Sequence, residues 1–227
     1  YVNSGDASKK SGVALTLSDT SVTATGITDI MGLASNKTTG VVSIAESTQV
    51  TGTQTELNAF FTKVLDNKVV TQSNYNVVIA TDTSVTATNL NNYDTYSGSG
   101  TVSTTATTIT GAVEDIATAL TSGQVSHLSN INVSFDTIAS ADSDDATNIN
   151  TILANTTGTV SGTVTGAADV LATISADTGT IADGDMSLIV SDGATALEAF
   201  AIIAATSKAT VDFSAAGLVD TQVKISA

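Results

Sequence analysis

The sequence predicts an α/β fold: a right-handed repeat solenoid of parallel strands with short crossover helices, in about eight units of roughly 28 residues. Three observations lead there. The heptapeptide DTSVTAT stands at 19–25 and returns unchanged at 82–88. Around it lie runs in which apolar residues alternate with Thr or Ser, the pattern of strands with one buried face. Behind these runs, apolar residues recur at i, i+3, i+4 and i+7, the stripe of an amphipathic helix.

Two classes of segment alternate. The first is a strand-like run that reaches an aspartate: VALTLSDTSVTATGITDIMGL (13–33), NVVIATDTSVTATNLNNYDTY (76–96), NVSFDTIASADSDDATNINTIL (132–153) and MSLIVSDGATALEAFAIIAAT (186–206). Their aspartates are Asp19, Asp82, Asp136 and Asp192. The second class opens on Gly and reaches a Thr-Gly pair: GVVSIAESTQVTGTQTELNAFF (40–61), GTVSTTATTITGAVEDIATAL (100–120) and GTVSGTVTGAADVLATI (158–174). The pairs are Thr51-Gly52, Thr110-Gly111 and Thr165-Gly166.

Within these segments Val41, Ile44 and Val50, or Val102 and Ile109, mark half-buried strands. Leu57, Phe60, Phe61, Val64 and Leu65 form a helix stripe; Val113, Ile116, Ala117 and Leu120 repeat it, and Val170, Leu171 and Ile174 shorten it. Thr53 followed by Glu56 has the form of a capping box. Gly52, Gly111 and Gly166 stand where the chain turns from strand to helix, a step that often needs an unusual φ.

Strand, helix and strand at so short a period implies parallel strands joined by right-handed crossovers. Units then begin near 13, 40, 76, 100, 132, 158, 186 and 210, one solenoid over 13–227 preceded by a polar N-terminal arm or linker at 1–12. The run 210–227 reads as a further unit cut short, and VKISA as a strand without a cap. Identical residues recur in such an array because they meet in ladders. DTSVTAT is therefore expected at a strand-to-turn corner, its Thr and Asp bonding the backbone or the next unit.

Composition narrows function by exclusion. The chain has no Pro, Cys, Trp or Arg and one His, and its 22 acidic residues against seven Lys give a net charge of −15. Such a surface repels nucleic acid and anionic membrane. Without cysteine there is neither a disulfide framework nor a thiolate zinc site. No stretch approaches the ~20 apolar residues of a membrane span. The opening Tyr1-Val2-Asn3-Ser4-Gly5 has neither the basic nor the apolar region of a signal peptide, so the chain is either cytosolic or a mature product or fragment.

Catalytic chemistry finds little purchase. His127 is the sole imidazole, and no triad pattern surrounds it. P-loop, GxGxxG and HExxH motifs are absent. A regular ice-binding array of Thr-x-Thr is broken at 158–166 and 186–193. Clustered carboxylates in turns suit Ca²⁺, which prefers hard oxygen ligands. Asp142, Asp144 and Asp145 in ADSDDAT and Asp183 and Asp185 in ADGDM are the metal candidates, though neither stretch has EF-hand spacing. Asn36, Asn132 and Asn155 fit the N-glycosylation pattern.

Together, DTSVTAT, TGTVS, TITGAVEDIATAL and TGAADVLATI resemble the tandem repeats of giant secreted cell-surface proteins of marine cyanobacteria and other aquatic bacteria. The resemblance spans about 13–210 and implies a secreted or surface-attached structural protein, acidic and often associated with calcium. The glycine-rich calcium nonapeptide of β-rolls is missing here. The leading expectation is a non-enzymatic extracellular protein that self-assembles end to end, as a filament, surface layer or adhesin stalk. Its partners are then copies of itself, adjacent repeats of a longer chain or a cell-surface polysaccharide. The alternative is a glycan-binding adhesin or phage-fibre-like shaft using Tyr75, Tyr93 and Tyr96, with a polysaccharide lyase third.

Overall fold

The computed structural model describes residues 14–31, 40–174, 186–205 and 210–214. In chain order the elements are β1 (Leu15–Thr16), β2 (Ser21–Thr23), α1 (Ala24–Met31), β3 (Val42–Ile44), β4 (Gln49–Gly52), α2 (Gln54–Leu65) and β5 (Val69–Thr71). There follow β6 (Asn76–Ile79), β7 (Ser84–Thr86), α3 (Ala87–Ser97), β8 (Val102–Thr104), β9 (Thr108–Gly111), α4 (Val113–Thr121) and β10 (Val125–Ser126). The remainder are β11 (Asn132–Phe135), β12 (Ile138–Ala141), α5 (Ser143–Asn155), β13 (Val160–Gly166), α6 (Ala168–Leu171), β14 (Met186–Val190), α7 (Ala196–Ala205) and β15 (Thr210–Asp212). The fold is α/β with parallel strands and interleaved helices.

The residues group into two compact units. The first takes in 1–85, 89–105 and 123–127, the second 86–88, 106–122 and 128–227. In the first unit, β10-β8-β6-β4-β2 form one parallel sheet and β1-β3-β5 another. Register sets like on like: Val22 pairs Val50, Val50 pairs Val77, Val77 pairs Val102 and Val102 pairs Val125. This valine ladder is buried throughout. β-branched side chains stacked on one face fill a pleated surface well, which is how a chain with few aromatics builds a core. In the second sheet half-buried Leu15 pairs Val42, and Val42 pairs Val69, both valines buried. β5 lies between the units expected at 40 and 76; its three residues, VVT, are too short for periodicity to register.

In the second unit β9, β11, β13, β14 and β15 follow one another in parallel, and β12 also pairs β13. Ile109 pairs Val133 and Val133 pairs Val160, and farther along Val164 pairs Leu188 and Leu188 pairs Val211. Helix packs on helix beside the strands: α1 on α2 in the first unit, and α4 on α5, α5 on α6 and α6 on α7 in the second.

The expected helix stripes form, with one correction. Val113, Ile116, Ala117 and Leu120 are all buried, as are Leu57, Phe60 and Phe61. Val64 and Val170 are half-buried, and Leu65 is 61% exposed. Leu65 is the last residue of α2, in a terminal turn that also carries Lys63 and reaches water. The arm at 1–12 and the run VKISA lie outside the described residues.

Two repeated devices tie one strand level to the next. Gly100 and Gly158, the glycines of the two GTVS copies, lie against the backbone of an earlier strand level. A Cβ at Gly100 would stand 2.0 Å from the Tyr75 carbonyl oxygen, and one at Gly158 2.3 Å from that of Ile131. The residue after each crowding carbonyl is an asparagine that reaches across. Asn76 Oδ1 accepts from the Thr101 N–H (3.0 Å) and hydroxyl (3.1 Å); Asn132 Oδ1 accepts from those of Thr159 (2.9 and 3.0 Å).

Candidate functional site

DTSVTAT is a strand followed by a helix start, rather than a turn alone. In both copies SVT is the strand and the alanine is the first helical residue. The inward valines, Val22 and Val85, are buried, and the alanines, Ala24 and Ala87, are fully so. What covers the alanines is the Thr-Gly pair of the following segment. A Cβ on Gly52 would lie 3.0 Å from Ala24 Cβ, and one on Gly111 3.7 Å from Ala87 Cβ; Gly166 faces Ala141 at 3.1 Å in the same way. The corner is thus a small residue under a glycine, which lets two levels of backbone approach closely. Of the three glycines, Gly111 has the positive φ anticipated from sequence, +136°.

The corner's polar groups are also spoken for. The Gly52, Gly111 and Gly166 carbonyls accept from the N–H groups of Ala80, Asp136 and Ser191 (3.0, 2.9 and 2.9 Å). Asp82 reaches back 28 residues, its Oδ2 accepting at 2.7 Å from Gln54 N–H, the first of α2. Asp192 likewise accepts at 2.7 Å from Ala168 N–H, the first of α6. Each carboxylate satisfies an orphan donor at a helix N-terminus and sits favourably against the helix dipole. For Asp19 the contact runs through the backbone: its carbonyl accepts from the Ser47 hydroxyl, and the Thr20 carbonyl accepts from Thr48 N–H (2.9 Å) and hydroxyl (3.1 Å).

Beside the first copy lies a cleft of about 340 Å³ whose walls include Thr23, Thr25, Thr51, Thr53, Glu56 and Thr81. Thr53 and Glu56 form the expected capping box: Thr53 N–H donates to Glu56 Oε2 (2.8 Å) and Glu56 N–H to the Thr53 hydroxyl (3.3 Å). Hydrogen bonds from the Thr25 side chain and then the Thr53 backbone hold the Glu56 carboxyl below its ordinary range. Thr81 has φ +66°, a left-handed conformation costly for a β-branched residue. The cleft offers hydroxyls and one carboxylate, with no imidazole or lysine on its walls to serve as a base.

The metal candidates divide. Asp142 is the N-cap of α5, its Oδ1 accepting from the N–H groups of Asp144 (2.9 Å) and Asp145 (3.1 Å), while Asp145 Oδ2 accepts from Asp142 N–H (3.2 Å). This is a second capping box, in a stretch read from sequence as a cation loop. Asp183 and Asp185 lie outside the described residues. Among the described residues, no three His, Asp or Glu side chains are grouped to hold a metal ion.

The three tyrosines do come together, Tyr75 and Tyr93 as core and Tyr96 half-buried beside them. Tyr75, Tyr93 and Tyr96 surround Phe61, with ring centroids 6.5, 5.0 and 5.0 Å from it. Tyr75 and Tyr93 are 2% and 1% exposed and offer no platform to a sugar. The Tyr93 hydroxyl donates to Gln54 O (3.1 Å) or Asn58 Oδ1 (2.7 Å), and burial pushes its phenol pKa up. Of the glycosylation candidates, Asn132 is the clip described above, Asn155 Nδ2 donates to Thr151 O (2.8 Å), and Asn36 is outside the described residues.

Sequence reading expected the DTSVTAT aspartate to bond the backbone or the next unit, as Asp82 does at Gln54 N–H; it missed that the donor is a helix start, the like bond of Asp192 to Ala168 N–H, and the asparagine clips. A signal for the clips was present: NVV and NVS start 24 and 26 residues before the two GTVS runs. No protein-family model, no curated protein and no solved structure matches the chain. Among the described residues, no helix is long and apolar enough to cross a membrane.

Proposed function

We propose that this chain is a non-enzymatic, extracellular structural protein whose strand–helix units wind as a right-handed solenoid and which self-assembles end to end, as a filament, surface layer or adhesin stalk. The observation that carries this reading is the like-on-like register, Val22–Val50–Val77–Val102–Val125 in one unit and Ile109–Val133–Val160 in the other. A chain that spends its recurrent residues on stacking neighbouring levels invests them in architecture, since each level meets only the ones beside it. The motif that recurs unchanged serves the same end, because its alanine, valine and aspartate pack against or cap adjacent segments.

The acidic, arginine-free composition fits a protein kept soluble and unentangled with nucleic acid in salty surroundings. Sedimentation and negative-stain electron microscopy over a concentration series, with and without millimolar Ca²⁺, test the reading. Regular fibres or sheets are the expected result. A strictly monomeric protein at every concentration and Ca²⁺ level overturns self-assembly.

A further inference from the structure

The cleft of about 340 Å³ beside the first DTSVTAT copy opens at the carboxyl ends of three neighbouring parallel strands, where α1 and α2 begin. Thr23 ends β2, Thr51 and Gly52 end β4, and Ala80 and Thr81 follow β6. Ligands of open parallel α/β sheets bind in this position, and the volume falls in the range of small-molecule sites, about 300–1,000 Å³. All of its walls belong to the first unit. Thr81, on the wall, holds a left-handed φ of +66°, the kind of strain that collects at binding sites. Thr23 Oγ1 accepts from Gly26 N–H and Thr51 Oγ1 from the Gln49 side-chain amide, both at 3.1 Å, so each keeps its own O–H to donate. Thr81 adds an exposed hydroxyl. Among the described residues of the wall Glu56 alone is charged, and bonds from Thr25 and Thr53 do not exhaust the roughly four acceptor sites of a carboxylate.

The sheet face around the cleft continues this chemistry. The outward residues of β2, β4 and β6 are Ser21, Thr23, Gln49, Thr51, Asn76 and Val78, all exposed or half-buried and none charged, on a chain of net charge −15. Depletion of charge within a patch is the compositional mark of a binding surface. We propose that the cleft binds one ring of a neutral carbohydrate. A pyranose carries adjacent hydroxyls that donate to the Glu56 carboxylate, oxygens that accept from the Thr23, Thr51 and Thr81 hydroxyls, and C–H faces that lie on threonine methyls and Ala80. An anionic sugar would meet Glu56 and the field of an acidic chain. A metal ion would find one carboxylate, and among the described residues no three His, Asp or Glu are grouped to hold it. The inference goes beyond self-assembly and does not rest on it, since it gives the strand ends a ligand.

Titration of the isotope-labelled whole chain with the methyl glycosides of glucose, galactose and mannose, followed by amide NMR shifts, tests the proposal. At least one glycoside is expected to move the Thr23, Thr51, Ala80 and Thr81 amides saturably. Thr51→Val keeps the side-chain shape and removes the hydroxyl; it should weaken binding about fivefold, the worth of one neutral hydrogen bond. Glu56→Gln should weaken it by at least about tenfold, the worth of a charged one. Thr110→Val, in the same Thr-Gly pair but not on the cleft wall, should leave binding unchanged, and circular dichroism checks that all three variants are folded. No saturable shift with any glycoside at tens of millimolar overturns the proposal. Binding that neither Thr51→Val nor Glu56→Gln weakens, or that Thr110→Val weakens as much, lies elsewhere and overturns it too. Glucuronate bound as tightly as the neutral glucoside rules out the neutral class. Amides of the cleft that answer to Ca²⁺ and to no sugar make it a cation site, and the proposal falls. Self-assembly is read separately by sedimentation, so its failure and the failure of this site are told apart.

Discussion

Gly158 lies against backbone that leaves no room for a side chain. A Cβ there would meet the Ile131 carbonyl carbon at 2.5 Å as well as its oxygen, and backbone cannot swing aside as a flexible side chain can. Gly158→Ala is expected to lose more than ~2 kcal/mol of stability in urea denaturation, in the class of overpacking and backbone strain. Gly123→Ala, where nothing lies within 4 Å, is the matched control and is expected to change stability little. The recurrence of GTVS was plain in the sequence. That its glycine answers a carbonyl one strand level away was not, because close approach is a property of the register.

At the scale of elements, helix N-termini are where the chain concentrates its polar work. Glu56 closes the box at the start of α2, and its carboxyl is held below the ordinary value of 4.5 by the Thr25 and Thr53 hydrogen bonds. A depressed carboxyl contributes stability above its unfolded pKa and loses it as pH falls through the folded pKa. Glu56→Gln should therefore flatten the stability profile below about pH 4.5, modestly because water screens the group, as read by urea midpoints from pH 6 to 3. Asp142 performs the same service for α5. Asp142→Ala is expected to cost about 1 kcal/mol, the worth of a lost N-cap, and to cost it equally in EDTA and in millimolar Ca²⁺. A penalty that appears only with Ca²⁺ would return this aspartate to the role of metal ligand.

For the whole molecule, charge sets the conditions of stability. A net charge of −15 opposes compaction through self-repulsion, which salt screens over a Debye length of about 8 Å at physiological ionic strength. The melting temperature is expected to rise between 10 and 500 mM NaCl in a thermal scan; a flat or falling trend would show that repulsion does not limit the fold. The same screening favours contact between copies, so any end-to-end growth should strengthen with salt.

The alternation of Val with Thr and the apolar stripes by themselves determined that this chain makes strands and short helices, since periods of two and 3.6 residues are local properties of a backbone, and their close succession implied that the strands pair in parallel. The Thr53–Glu56 box was equally legible, because its partners lie within one turn. Tertiary structure alone decided which residues face one another across levels: that Ala24 lies under Gly52, that Asp82 caps α2 and that Asn76 clips Thr101. It also turned Tyr75 and Tyr93 inward around Phe61 and used Asp142 as a cap, where composition had offered a sugar platform and a cation loop. The physical reason is common to these cases. A residue type fixes what a side chain can bond, but the partner it meets about 25 residues away is chosen by strand register, which depends on how whole levels stack.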